Sequence, residues 1–357
     1  MYILITGTSG FLGQYVVAHA LRCGHRVRAV DRRLPDENGP SWRDHPGVEV
    51  LRVDLRRPDG IAAAVKGTQA VVHLAAAKEG DFDTQFGGTV LTTHNLLDAM
   101  ADAGVLRLVV ASSFSVYDYL HTSPGEILDE ESPIEPEPEL RDPYTRTKLL
   151  QEQAAREFQQ RRDGAVTILR PGVLYGRENL WIARLGVKMS DKLWLRIGSG
   201  AELPMSYVEN CAEAVIAALE TDAAIGATLN IVDDERPTQQ FYARILSERA
   251  SASPWMFPVS WNLMRLLAAT VWRCNRVLFR GQLKLPGLFT PARLHARFKP
   301  LAYENRRARE VLSWEPSYSL EDALDRSLGN LDLLNVPHAS TTAPLRQDPH
   351  AHRLSDR

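Results

Sequence analysis

The feature that most constrains this chain is a seven-residue turn close to its start. Gly7-Thr8-Ser9-Gly10-Phe11-Leu12-Gly13 follows directly on the apolar run Tyr2–Ile5 and opens an amphipathic stretch over Phe11–Cys23. Three glycines between a strand and a helix permit a tight reversal and let an anion approach the backbone. The amides at the start of the helix then face that anion. A glycine triplet alone is weak evidence, but its place between a strand and a helix makes it specific. Gly7, Gly10 and Gly13 are therefore expected to cradle a pyrophosphate, with Ser9, Phe11 and Leu12 alongside.

The next hundred residues repeat the same alternation. Strands are predicted at Tyr2–Ile5, Arg26–Val30, Val48–Val53, Ala70–Leu74 and Leu106–Ala111, and helices at Phe11–Cys23, Ile61–Val65 and Thr92–Ala103. Strands alternating with helices imply βαβ units, a parallel sheet and right-handed crossovers. The fold class expected is a doubly wound (Rossmann) α/β sheet with helices on both faces. A further helix is predicted at Tyr144–Gln160 and a strand at Val166–Leu169, after a Pro- and Glu-rich loop over 123–143. At 357 residues the chain has room for about two domains at ~150 residues each. The alternation weakens from about 177. The division expected is a dinucleotide-binding domain over 1–176, a mixed substrate lobe over 177–335 with some segments returning to the core sheet, and a disordered tail over 336–357.

The net charge of -2 gives no dominant basic field, which argues against a nucleic-acid binder. The three cysteines lie far apart, so neither a metal site nor a disulfide framework is expected. The first residues do not read as an export signal, and no apolar run reaches the ~18 residues of a membrane span. A reducing, cytoplasmic compartment is expected.

The second predicted strand ends in Asp31, 18 residues after Gly13, where an acid can accept hydrogen bonds from an adenosine ribose. That favours NAD, because the carboxylate repels a 2′-phosphate. Arg32 and Arg33 leave NADP open, since either guanidinium can pair with that phosphate. Asp54 and Leu55, at the end of the third strand, read either as neighbours of the adenine edge or as a plain strand terminus.

Tyr144 and Lys148 share one helix face at a spacing of four. An ammonium beside a phenol favours the phenolate, and such a tyrosine can exchange a proton with a substrate oxygen. The lysine can also hold a nicotinamide ribose. Tyr144 alone among the ten tyrosines has a lysine four residues on. The strand ending in Ala111-Ser112-Ser113 places hydroxyls at the carboxyl end of a parallel sheet, where one of them can polarise the same oxygen. Ser113, Tyr144 and Lys148 are the catalytic set expected.

Together these residues resemble the extended short-chain dehydrogenase/reductase superfamily, also called the NAD-dependent epimerase/dehydratase family, over about residues 1–330. His73-Leu74-Ala75-Ala76 is similar to its fourth-strand motif beside the nicotinamide, and Ser112-Ser113 with Val116-Tyr117 to its catalytic strand. Arg170-Pro171 through Tyr175-Gly176 resembles the segment lining the cofactor site. Trp314-Glu315-Pro316 with Leu320–Leu324 resembles its closing motif. The resemblance implies Leu74, Ala75, Ala76 and Pro171 as cofactor contacts. It also implies a homodimer through a helix bundle that includes the catalytic helix.

Three positions depart from the nucleotide-sugar branch. Val173 stands where an asparagine is usual, Leu203-Pro204-Met205-Ser206 lacks the diphosphate-gripping arginine, and Thr89 replaces an asparagine that supports a water relay. The pattern looks more like the 3β-hydroxysteroid dehydrogenases and related reductases.

Residues 254–281 form an apolar stretch broken by Arg265, Arg273, Arg276 and Arg280. It reads as a long amphipathic helix or helix pair with three open roles: an interfacial membrane helix, a lid over a greasy pocket, or ordinary packing. The expectation overall is an NAD(P)-dependent oxidoreductase interconverting a secondary alcohol and a ketone on a small, lipophilic substrate. A nucleotide-sugar epimerase or dehydratase that recycles NAD is the alternative, and a non-catalytic dinucleotide sensor the third reading.

Overall fold

A computed structural model describes residues 1–33, 40–198, 200–250 and 253–334. The tail expected over 336–357 lies outside these residues. Seven parallel strands form the main sheet, in the spatial order Thr228–Ile231, Ala165–Pro171, Arg107–Ala111, Ala70–His73, Tyr2–Thr6, Arg26–Asp31, Val48–Arg52. The order reverses between the first strand and the fourth, where Ile5 pairs with Ala29 on one side and Val72 on the other. That reversal opens a crevice at the carboxyl ends of the strands.

The sheet is doubly wound because its strands are apolar on both faces. Ile3, Ile5, Val72, Val109 and Leu169 turn to one side, against the helices Phe11–Arg22 and Val208–Glu220. Leu4, Val71, Leu108, Val110 and Ile168 turn to the other, against Thr92–Ala103 and Pro143–Arg162. Each buried Val or Leu side chain contributes about 1.5–3 kcal/mol, so neither layer of helices can be removed without exposing half of the core.

Several expectations are corrected. The strand expected to end at Leu74 ends at His73, and Val166–Leu169 lengthens to Ala165–Pro171. The 123–143 segment is not bare loop, since Ile127–Leu128 pairs with Ala302–Tyr303 and Pro138–Arg141 forms a helical turn. The start of the 254–281 stretch is a strand, Trp255–Val259, lying parallel to Leu193–Ile197, which in turn pairs antiparallel with Val187–Ser190. Only Trp261–Leu278 is helical. No helix among the described residues is long and apolar enough to cross a membrane. Beyond residue 176 the strand Thr228–Ile231 rejoins the main sheet at its edge.

Candidate active site

The turn after the first strand can be built only from glycine at two places. Gly7 has φ +74°, and a Cβ there would lie 2.8 Å from the Ala75 nitrogen. A Cβ on Gly13 would lie 2.1 Å from the Gly7 carbonyl oxygen. The helix therefore starts directly on top of the turn. Gly10 N–H closes back on Gly7 O at 3.0 Å, and the first-turn amides of Phe11–Arg22 have no intrahelical acceptor. The Asp31 carboxylate is tied to the turn, accepting from Ser9 N at 2.8 Å, Ser9 Oγ at 2.6 Å and Arg32 N at 2.7 Å.

A cleft of about 440 Å³ begins here and runs across the carboxyl ends of the strands. Every residue nominated from the sequence lines it, apart from Arg33. Gly7, Ser9, Gly10, Phe11, Leu12, Gly13, Asp31, Arg32, Asp54 and Leu55 lie toward the glycine turn. Leu74 and Ala75 lie against Gly7 itself, and Ala76, Ser113, Tyr144, Lys148 and Pro171 complete the lining. The Asp54 carboxylate is gripped by Arg56, which holds it down at about 2. Free helix amides, a cradle that a Cβ would fill and an acid at the second strand end fit a dinucleotide.

At the far end, Asp142 caps the Pro143–Arg162 helix by accepting from Thr145 N at 2.8 Å, with Pro143 in the first turn. Tyr144 is thereby presented at the mouth of the helix. Burial pushes its phenol up to about 12, while a hydrogen bond from the Ser113 hydroxyl pulls the other way. Ser113 Oγ also accepts from Ser115 N at 3.1 Å. The neighbouring Ser112 is spent on packing: its hydroxyl donates to Glu152 Oε1 at 2.5 Å, and Arg170 grips the same carboxylate through two bonds of 2.8 Å. Of the two serines, Ser113 is the one placed beside the phenol.

Lys148 is buried and donates to Ala111 O at 2.7 Å and to Gln151 Oε1 at 2.8 Å. Burial, assisted by the nearby Lys78 ammonium, pulls it down to about 7. Its Nζ sits 5.8 Å from the centre of the Tyr144 ring. The spacing of four between Tyr144 and Lys148 predicts a phenol lowered by this lysine. Burial raises the phenol instead, and the lysine is turned toward neutral acceptors.

Two features escaped the sequence reading. Lys78 also lines the cleft, at its rim. Gln151 links Lys148 to Thr93, its Nε2 donating to Thr93 Oγ1 at 3.1 Å, and Thr93 contacts His73 Nε2 at 2.9 Å. Gln151 lies three residues after Lys148 on the same helix face, a spacing that marks it as a neighbour. Nothing local marks Thr93, 58 residues away.

A doubly wound sheet with a glycine turn at its switch point defines a dinucleotide-binding protein. A profile of the NAD dependent epimerase/dehydratase family matches residues 3–231, and the chain belongs to that family. It is an NAD-dependent oxidoreductase of the extended short-chain dehydrogenase/reductase type. It is 27% identical over 336 residues to the bovine (Bos taurus) sterol-4-alpha-carboxylate 3-dehydrogenase, decarboxylating, covering 91% of this chain and 90% of that protein. It is 29% identical over 354 residues to a Mycobacterium tuberculosis 3 beta-hydroxysteroid dehydrogenase/Delta 5-->4-isomerase, covering 91% and 89%. Among solved structures, the NAD complex of a Bacillus cereus UDP-glucuronic acid 4-epimerase superposes with a TM-score of 0.67 at 20% identity, covering 93% of this chain and 99% of that one.

Proposed function

We propose that this protein is a dehydrogenase that interconverts a secondary alcohol and a ketone on a small lipophilic substrate of the sterol type. The observation that carries the reading is the convergence of Ser113, Tyr144 and Lys148 at one end of the cleft whose other end is the glycine turn. Gly7, Gly10, Gly13, Ser9 and Asp31 would hold the dinucleotide. When bound, NAD supplies a nicotinamide carbon that accepts or returns hydride. Tyr144 exchanges the proton of the substrate oxygen, and the Ser113 hydroxyl donates to that oxygen and polarises it. Lys148, fixed by Ala111 and Gln151, keeps one N–H for the cleft.

The relatives named for sterol and hydroxysteroid dehydrogenation support a lipophilic substrate. The cleft supports it too. Val173 lines it where a nucleotide sugar would need a polar group, and the segment ahead of Tyr207-Val208 offers no cation, with Leu203 and Met205 packed in the core. A homodimer and peripheral contact of residues 254–281 with a membrane belong to the same proposal.

The test is incubation of the purified protein with NAD and a 3β-hydroxysterol, following the absorbance of reduced nicotinamide. A net rise that is lost in Tyr144→Phe is expected. Product without net reduction of NAD would instead identify an epimerase or dehydratase. No turnover with any alcohol, with NAD still bound, would leave a sensor.

A further inference from the structure

The charge of this chain is unevenly placed. Residues 249–303 hold nine of its 42 Lys and Arg and none of its 44 Asp and Glu. Part of that charge is consumed internally: Arg297 donates to Ala183 O at 2.9 Å and Lys299 to Tyr119 O at 2.8 Å. Arg265, Arg273, Arg276, Arg280 and Lys284 meet no carboxylate among the described residues.

The Trp261–Leu278 helix carries three separate faces at 3.6 residues per turn. Trp261, Met264, Ala268 and Asn275 form its buried stripe, the first three packed on Leu294 and Phe298. On the opposite side Leu263, Leu266 and Val277 are exposed, and Leu267 and Leu278 are exposed on one flank, with Leu266 65%, Val277 78% and Leu278 70% open to solvent. Arg265 and Arg276 fall on the other flank, and Arg273 at the edge of the outer apolar stripe. An ordinary surface helix is polar on its outer side; this one repeats an apolar stripe there.

The adjoining strand continues the apolar surface. Trp255 and Phe257 are 81% and 62% exposed. They lie on the same strand face as Val259, which packs against this helix. Leu193 stands beside Trp255 in register and is also exposed.

We propose that this surface, formed by the outer face of the Trp261–Leu278 helix and the exposed end of the Trp255–Val259 strand, docks the protein on an anionic lipid bilayer. The leucines, valine and aromatics enter the headgroup–acyl boundary, and the arginines lie at phosphate level. The helix lies in the interface and does not cross. A two-fold pairing of this face with a second copy would bring two acid-free basic surfaces together, which is repulsive. The inference sharpens the membrane contact proposed above and does not depend on the chemistry of the cleft.

The full chain is mixed with vesicles of phosphatidylcholine alone, or of three parts phosphatidylcholine to one of phosphatidylglycerol, and sedimented. It should pellet with the anionic vesicles and be released as salt rises. Leu266→Asp with Val277→Asp, and separately Arg273→Glu with Arg276→Glu, should each lower partitioning about tenfold or more. Melting temperature and NAD binding should stay at the wild-type level in both. Absence of vesicle binding by the wild type, or wild-type binding in both double variants, overturns the proposal. So does self-association in solution that both variants abolish, since a second copy would then cover the face. Dehydrogenase activity measured on the same samples separates failure here from failure of the functional reading.

Discussion

Lys148 Nζ donates to the side-chain carbonyl of Gln151 at 2.8 Å, so an amide, not an acid, sets the position of the buried lysine. The contact is the end of a longer chain. Thr93 spends its own hydrogen on Thr89 O at 2.6 Å and accepts from Gln151. Burial holds His73 neutral, down at about 3. Its single ring hydrogen therefore goes to Thr93 from Nε2, and Nδ1 accepts from the Thr6 hydroxyl at 2.7 Å. Thr6 immediately precedes Gly7. The lysine at one end of the cleft is thus tied through buried bonds to the turn at the other.

Opposite substitutions at Gln151 should move Lys148 in opposite directions. Gln151→Glu puts a carboxylate beside the ammonium and raises its pKa above 7. Gln151→Leu removes an acceptor and lowers it further. The kcat inflection near neutral pH is expected to shift up in the first and down in the second, with the NAD dissociation constant within a few-fold of wild type. Gln151→Leu also leaves a buried Lys148 N–H unpaired, a loss of about 1–3 kcal/mol of stability. Identical pH profiles in both variants would show that Gln151 only fills space.

Gly13→Ala is the sharpest probe of the turn. The new methyl meets a backbone oxygen at 2.1 Å, and no side-chain rotation relieves that contact. The helix must lift off the turn, at about 1–3 kcal/mol. Calorimetry should find a lowered melting temperature, and titration should find NAD binding weakened by more than the stability loss alone explains. Unchanged NAD affinity would remove the turn from the binding site.

Cofactor choice rests on Asp31. Its carboxylate is oriented by Ser9, and the exposed Arg32 beside it lines the same cleft. Asp31→Ser removes the repulsion of a 2′-phosphate and leaves the guanidinium to pair with it. The ratio of kcat/KM for NADP to that for NAD should rise about tenfold or more. Unchanged discrimination would mean that the adenosine ribose lies elsewhere.

How far the sequence could be read depended on whether the cause was local. Gly7 and Gly13 are demanded by backbone atoms within a few residues or across one strand, and the pattern shows it. Tyr144 and Lys148 share a face by helical spacing alone. The Trp255–Val259 strand reads as helix in the sequence because its partner, Leu193–Ile197, lies about sixty residues earlier and its apolar composition suits either state. The ties of Gln151 and His73 to Thr93 were hidden for the same reason. Thr93 is an ordinary helix residue until the Ala70–His73 strand and the Pro143–Arg162 helix are brought against it.

The pH dependence of the two reaction directions tests Tyr144 most directly. Alcohol oxidation releases a proton, so the ratio of forward to reverse kcat/KM must change tenfold per pH unit whatever the mechanism. The pKa of the phenol decides which direction carries that slope. Held up at about 12, Tyr144 keeps its proton throughout the working range. It is then always ready to donate to a ketone, and only a small fraction, growing tenfold per unit, is ready to accept from an alcohol. Above the inflection that Lys148 gives near 7, ketone reduction should be flat and alcohol oxidation should climb. A phenol lowered to near neutrality would give the reverse: flat oxidation and falling reduction. Tyr144→Phe should cost about 10²–10⁴-fold in both directions while NAD still binds, and near-wild-type turnover in that variant would take the proton away from Tyr144 altogether.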